Sequence, residues 1–144
     1  LKHNANQRLI KGKRVVLVDD SIVRGTTSTK IVEMVRSAGA KEVHMRIASP
    51  PTTHSCFYGV DTPEREQLLA ANNDTSEMAE LIGVDSLSFV TVDGLYRAMG
   101  ESRRNSNAPQ YCDACFTGEY PISLADRDAN GLPAQLSLLN EKIG

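Results

Sequence analysis

Val15-Val16-Leu17-Val18-Asp19-Asp20-Ser21-Ile22-Val23-Arg24-Gly25-Thr26-Thr27 passes from four apolar residues to two adjacent carboxylates, then to a short loop ending in glycine and hydroxyls. A short, uninterrupted, β-branched run predicts a strand buried on both faces of a parallel sheet. Ligands of open α/β sheets sit at the carboxyl ends of the strands, where Asp19 and Asp20 emerge. Vicinal carboxylates can accept hydrogen bonds from neighbouring sugar hydroxyls, directly or through a hard cation such as Mg²⁺. The loop from Ser21 to Thr27 adds backbone N–H groups and the hydroxyls of Thr26 and Thr27 for a phosphate, and Gly25 permits close approach and positive φ. Together these features describe a cradle for a phosphorylated sugar. An Asp-Asp pair alone describes only a buried strand, an acidic turn and a helix start.

Downstream, Ile31, Val32, Met34, Val35 and Ala38 recur at helical spacing before Gly39, so strand and loop lead into a helix. Val43 to Ala48 predicts a second buried strand, completing a β-α-β unit with a right-handed crossover, and Ser49-Pro50-Pro51 ends it. Irregular chain is expected from Thr52 to Asp61, with Phe57, Tyr58 and Val60 able to form a short strand. A helix is predicted from Pro63 to about Ala71, capped by Thr62. Asp74 and Glu77 form a capping box for a helix that runs to Gly83. A strand over Ser86–Val90 and a short helix over Val92–Met99 come next. Glu101 to Gln110, rich in Ser, Asn, Arg and Pro, predicts a linker, with the Arg103-Arg104 doublet solvated. Leu132 to Ile143 holds an amphipathic pattern within a stretch expected to lack full order.

The opening string resembles the PRPP (phosphoribosyl pyrophosphate) signature of type I phosphoribosyltransferases. Many members place Thr before the glycine, where this chain has Arg24. With Ser49-Pro50-Pro51 and Cys56-Phe57-Tyr58-Gly59-Val60-Asp61, the segment from about Gly12 to Pro121 is similar to the glutamine PRPP amidotransferases (amidophosphoribosyltransferases). The resemblance implies an α/β fold: a type I phosphoribosyltransferase-like parallel sheet flanked by helices, present as a partial domain, with an irregular cysteine-containing C-terminal tail. Residues 1–11 then read as a polar lead-in, 12–100 as the C-terminal part of the phosphoribosyltransferase domain, and 101–144 as linker and tail. The start at Leu1 and the absence of the family's glutaminase nucleophile and mobile PRPP loop lead to the expectation of a C-terminal fragment.

The 144 residues suffice for one modest core, and 40% hydrophobic with 24% charged residues describe an ordinary globular chain. A net charge of −2 gives no electrostatic reason to expect nucleic acid or an anionic membrane. No apolar run reaches membrane-spanning length and no signal peptide is evident, so a cytoplasmic location is expected. Three cysteines, an odd number, argue against a secreted disulfide framework.

Cys112-Asp113-Ala114-Cys115 spaces two thiols for metal or redox work, and Cys56 supplies a third from a distant loop. The flanks look nonhelical and lack an adjoining β-α-β pattern, which favours metal. Within the family resemblance, Cys56, Cys112 and Cys115 match three of the four cysteines that hold a 4Fe-4S cluster, the fourth lying outside this chain. Zinc bound by these thiols and His54 is the competing centre. His3 and His44 receive no role, His44 reading as a satisfied core histidine.

The implied reaction transfers ammonia, derived from glutamine, to C1 of PRPP. It gives 5-phosphoribosylamine and pyrophosphate in the first committed step of purine synthesis. Asp19 and Asp20 would hold the ribose and Mg²⁺, while Ser21, Arg24, Gly25, Thr26 and Thr27 would anchor the 5′-phosphate. No catalytic acid or base is assigned. The family also implies purine nucleotides as feedback inhibitors and a homo-oligomer. Two alternatives share the string: a regulator sensing PRPP or nucleotides, and a nucleobase phosphoribosyltransferase.

Overall fold

The computed structural model describes residues 5–122; the expectations for His3 and for residues 124–144 lie outside them. Strand β1 (Arg14–Asp19), helix α2 (Thr26–Ser37) and strand β2 (Glu42–Ile47) form the expected β-α-β unit. Strand β3 (Ser86–Phe89) adds on the far side of β2, so the order is β1-β2-β3, all parallel. Val15 pairs with Val43 and Leu17 with Met45, while Met45 pairs with Leu87. One sheet face therefore presents a continuous apolar surface. Val32 and Val35 of α2 and Met78 and Ile82 of α4 (Thr75–Ile82) pack on it in the core. Each such buried side chain is worth roughly 1.5–3 kcal/mol.

The opposite face differs from expectation. Val16 is 59% and Val18 75% exposed: among the described residues the core helices α2 and α4 pack on the other face, and β1 lies at the edge of the three-stranded sheet. The neighbouring strands are polar there, and their groups satisfy one another. The His44 ring bonds Ser86 Oγ (2.8 Å) and Glu42 Oε2 (3.0 Å), and Glu42 also accepts from Arg14 at 2.6 Å. His44 is thus satisfied as expected, but on the open, polar face and not in the core.

Helix α4 obeys its local code. Asp74 Oδ1 accepts from the N–H groups of Ser76 and Glu77, Glu77 Oε2 accepts from the Asp74 N–H at 2.8 Å, and Gly83 closes the helix with φ 84°. The helix predicted from Pro63 to Ala71 does not form as one element. A 3₁₀ turn over Arg65–Gln67 is separated from α3 (Leu69–Asn72) by Leu68, whose extended backbone lets its fully buried side chain reach the interior. Phe57 to Gly59 make bends and Val60 is irregular, so no strand forms there. The lead-in contributes one helical turn, α1 (Gln7–Ile10), capped by Asn6, and Ile10 packs against the core. A single turn is too short to reveal itself by periodicity.

Helix α5 (Val92–Ala98) anchors the segment C-terminal to it. Residues 101–110 have no regular structure, as expected, but Arg104 is not solvated. Its side chain is 9% exposed, grips the 3% exposed Asp113 in a bidentate pair through Nε and Nη2 and reaches Glu119 at 2.6 Å. Buried Tyr96 of α5 donates its hydroxyl to Asp113 Oδ2 at 2.9 Å. Burial works to raise the Asp113 carboxyl, yet hydrogen bonds from Arg104 and Tyr96 outweigh it and hold the pKa below the ordinary value. No helix among the described residues is long and apolar enough to cross a membrane.

Candidate functional site

At the carboxyl end of β1 the chain turns through Asp20 to Gly25 and enters α2. Asp19, Asp20, Ser21, Arg24, Gly25, Thr26 and Thr27 all line one cavity of about 330 Å³, joined there by Ile22, Val23 and Ser28. Two short hydrogen bonds shape the turn: Asp19 Oδ1 accepts from the Asp20 N–H (3.0 Å), and Asp20 Oδ1 from the Ser21 N–H (2.7 Å). Each carboxylate keeps further lone pairs for a ligand. Among the described residues, neither is engaged in an ion pair.

Gly25 sits at the N-cap of α2 with φ 78°, a left-handed conformation that disfavours any side chain, and no side chain caps the helix. The first-turn N–H groups of an uncapped helix are orphan donors carrying partial positive charge, suited to an anion. Thr26 and Thr27 stand exposed beside them, whereas Ser28 is buried. Ile22, almost wholly buried, nails the polar loop to the core. Its role was legible only as an apolar residue amid polar neighbours.

The cysteines lie elsewhere, where two irregular segments clasp. The N–H groups of Thr53 and His54 both donate to the Cys115 carbonyl at 3.0 Å, and the Tyr120 hydroxyl donates to the Ser55 carbonyl at 2.7 Å. The Phe57 and Tyr120 rings meet tilted at 45°, 5.1 Å between ring centres. Contrary to the nonhelical expectation, Cys115 rides on a single turn, α6 (Ala114–Thr117), closed by Gly118 with φ 76°. Burial pushes the Cys115 thiol up, and the nearby Cys56 and Cys112 push it further. All three cysteines are free thiols, joined by no disulfide. They are not drawn together as a ligand set: among the described residues no three His, Cys, Asp or Glu side chains are placed to hold one metal ion. His54 is turned to other partners, its Nδ1 bonding Thr53 Oγ1 at 2.9 Å while its ring lies against Gly118. Burial, then the Arg65 charge, holds the His54 ring below its ordinary pKa.

A wider hollow of about 1160 Å³ opens between α5 and the 102–110 segment, with Arg97, Arg103 and Arg104 in its walls. Arg104 is consumed by its carboxylate partners. The strand-end cavity, by contrast, combines two carboxylates in no ion pair among the described residues with an uncapped helix start.

The chain is 55% identical over 140 residues to the amidophosphoribosyltransferase of Rhizobium etli, covering 96% of this chain and 28% of that protein. It is 52% identical over 124 residues to the enzyme of that name from Bacillus subtilis, 86% of this chain and 26% of the relative. This chain is similar to one portion of the amidophosphoribosyltransferases. Among solved structures, glutamine PRPP amidotransferase from B. subtilis, complexed with ADP and GMP, superposes with a TM-score of 0.77 at 47% identity over 91% of this chain and 28% of that one. No protein-family model matches. The chain thus spans little more than a quarter of the length of these amidophosphoribosyltransferases. They share its parallel sheet and flanking helices, as the α/β reading expected.

Proposed function

We propose that this chain is the PRPP-binding portion of an amidophosphoribosyltransferase that transfers glutamine-derived ammonia to C1 of PRPP, releasing pyrophosphate and forming 5-phosphoribosylamine. One observation carries the reading: a carboxylate pair without cationic partners adjoins an uncapped helix start at the end of a parallel strand. As the bond from C1 to the diphosphate breaks, C1 gains positive character. The site must hold the sugar still and keep water away. Asp19 and Asp20 orient the ribose hydroxyls. The amides of the Ser21–Thr27 loop, with Arg24, Thr26 and Thr27, fix the 5′-phosphate. Two hard oxygen donors fit Mg²⁺, which binds through one or two carboxylates plus phosphates. When bound, the ion would offset charge on the departing diphosphate. No general base is needed, since ammonia attacks as a neutral nucleophile. Purine nucleotides carry the same ribose 5-phosphate and would compete at this loop as inhibitors.

The test is direct. The complete enzyme should form phosphoribosylamine from PRPP with glutamine or ammonia, while the 144-residue chain alone should not. PRPP-independent behaviour of the complete protein, or turnover by the isolated chain, would contradict the assignment.

The cluster reading rests on donor chemistry alone: this chain holds three soft thiols, and a fourth ligand would have to come from outside it. Cys56, Cys112 and Cys115 would then tie the loop near residue 56 to the tail and take no part in displacing pyrophosphate. Anaerobically purified complete protein should contain iron and acid-labile sulfide in equal amounts, lost on Cys112→Ser. Stoichiometric zinc instead would favour the other centre.

A further inference from the structure

Resting on the phosphate-binding reading above, we infer that Leu69 is a positioning residue for the phosphate loop, acting through Gly25 and Val23. Two contacts from one residue meet the loop on either side of Arg24. The Leu69 N–H donates to the Val23 carbonyl at 2.8 Å. Its side chain lies directly behind Gly25: a β-carbon placed on that glycine would stand 2.7 Å from Leu69 Cδ2 and 3.8 Å from Leu69 Cγ, with Ile82 Cγ1 at 3.9 Å.

The consequence is mechanical. Gly25 occupies a left-handed conformation with no side chain of its own to hold it, so its backbone is placed by what presses on it from the core side. That surface is Leu69, packed against the buried cluster through Ile82 and its neighbours. Leu69 does not line the phosphate cavity. It governs the height of the amides there without touching a ligand. The buried Leu68 beside it locks α3 in place, so the brace cannot simply retreat.

A truncation at Leu69 should free the Gly25 peptide and misplace the anion donors, and small displacements in such sites cost up to about a hundredfold. In the complete enzyme, Leu69→Ala should raise both the KM for PRPP and the Kd for ribose 5-phosphate by about tenfold. Leu69→Met, which can refill the space, should bring both back to within about threefold of wild type. Met78→Ala, which empties the same buried cluster at a residue that does not line the cavity, should leave them unchanged. Should Leu69→Ala fail to fold, Leu69→Val withdraws the terminal methyls from behind Gly25 and should shift KM in the same direction. Unchanged KM and Kd in the Leu69→Ala or Leu69→Val enzyme, or an equal rise in Met78→Ala, would overturn the positioning role. Failure of the wild-type enzyme to bind ribose 5-phosphate or use PRPP would instead remove the functional reading, and this inference with it.

Discussion

Replacing Asp19 and Asp20 together by asparagine should abolish phosphoribosylamine formation in the complete enzyme, with a loss of about 10³-fold or more in kcat/KM for PRPP. Asparagine keeps the shape and some hydrogen bonding but removes both negative charges, so it can no longer hold a hard cation or accept at every lone pair. The fold should survive. Neither carboxylate is in an ion pair among the described residues, and the bonds each makes to the next backbone N–H can pass to an amide oxygen. Circular dichroism and a melting temperature close to wild type, beside absent turnover, would separate chemistry from stability. Near-normal turnover in the double variant would eliminate the site as drawn.

A loss of the opposite kind, in stability with the strand-end cavity intact, is expected for Asp113→Ala. Arg104 would remain 9% exposed without its bidentate partner, and the Tyr96 hydroxyl would keep only the Tyr111 carbonyl. Removing one member of a buried ion pair costs about 3–5 kcal/mol, mostly the penalty of the stranded charge. The double change Arg104→Leu with Asp113→Leu should recover a large part of that loss, because no charge is then left buried. Urea unfolding at neutral pH reads both. If the single variant unfolds at the wild-type midpoint, the pair is not structural. The pH dependence has a definite sign. The Asp113 carboxyl titrates below its ordinary range in the folded chain, so its contribution is present above the unfolded carboxylate pKa and disappears as pH falls through the folded value. The wild type should therefore lose stability below about pH 4, and the double-leucine variant should show less of that loss.

Local chemistry was easy to read along the chain. The strand, acidic turn and helix of residues 14–37, the Asp74–Glu77 capping box and the Gly83 stop each depend on neighbours within a few positions. The cavity residues were legible for the same reason: all seven candidates sit on one continuous stretch, so the turn itself brings them together. Where fold and expectation part, the cause lies far off in sequence. Val16 and Val18 look like core residues in any window, yet whether a strand face is buried depends on which helices cover it. Arg104 reads as linker until Asp113 and Tyr96, from two other segments, close around it.

From its order of residues alone, then, the protein's secondary structure near β1, the residues that line the strand-end cavity and its kinship were already legible, since backbone preference and contiguous motifs are written locally. Only the folded arrangement decided which sheet face stays open, how the cysteine segments clasp, and that Leu69 stands behind Gly25. Those outcomes are set by long-range packing and by the need to satisfy buried charge, and neither is carried by any single stretch of chain.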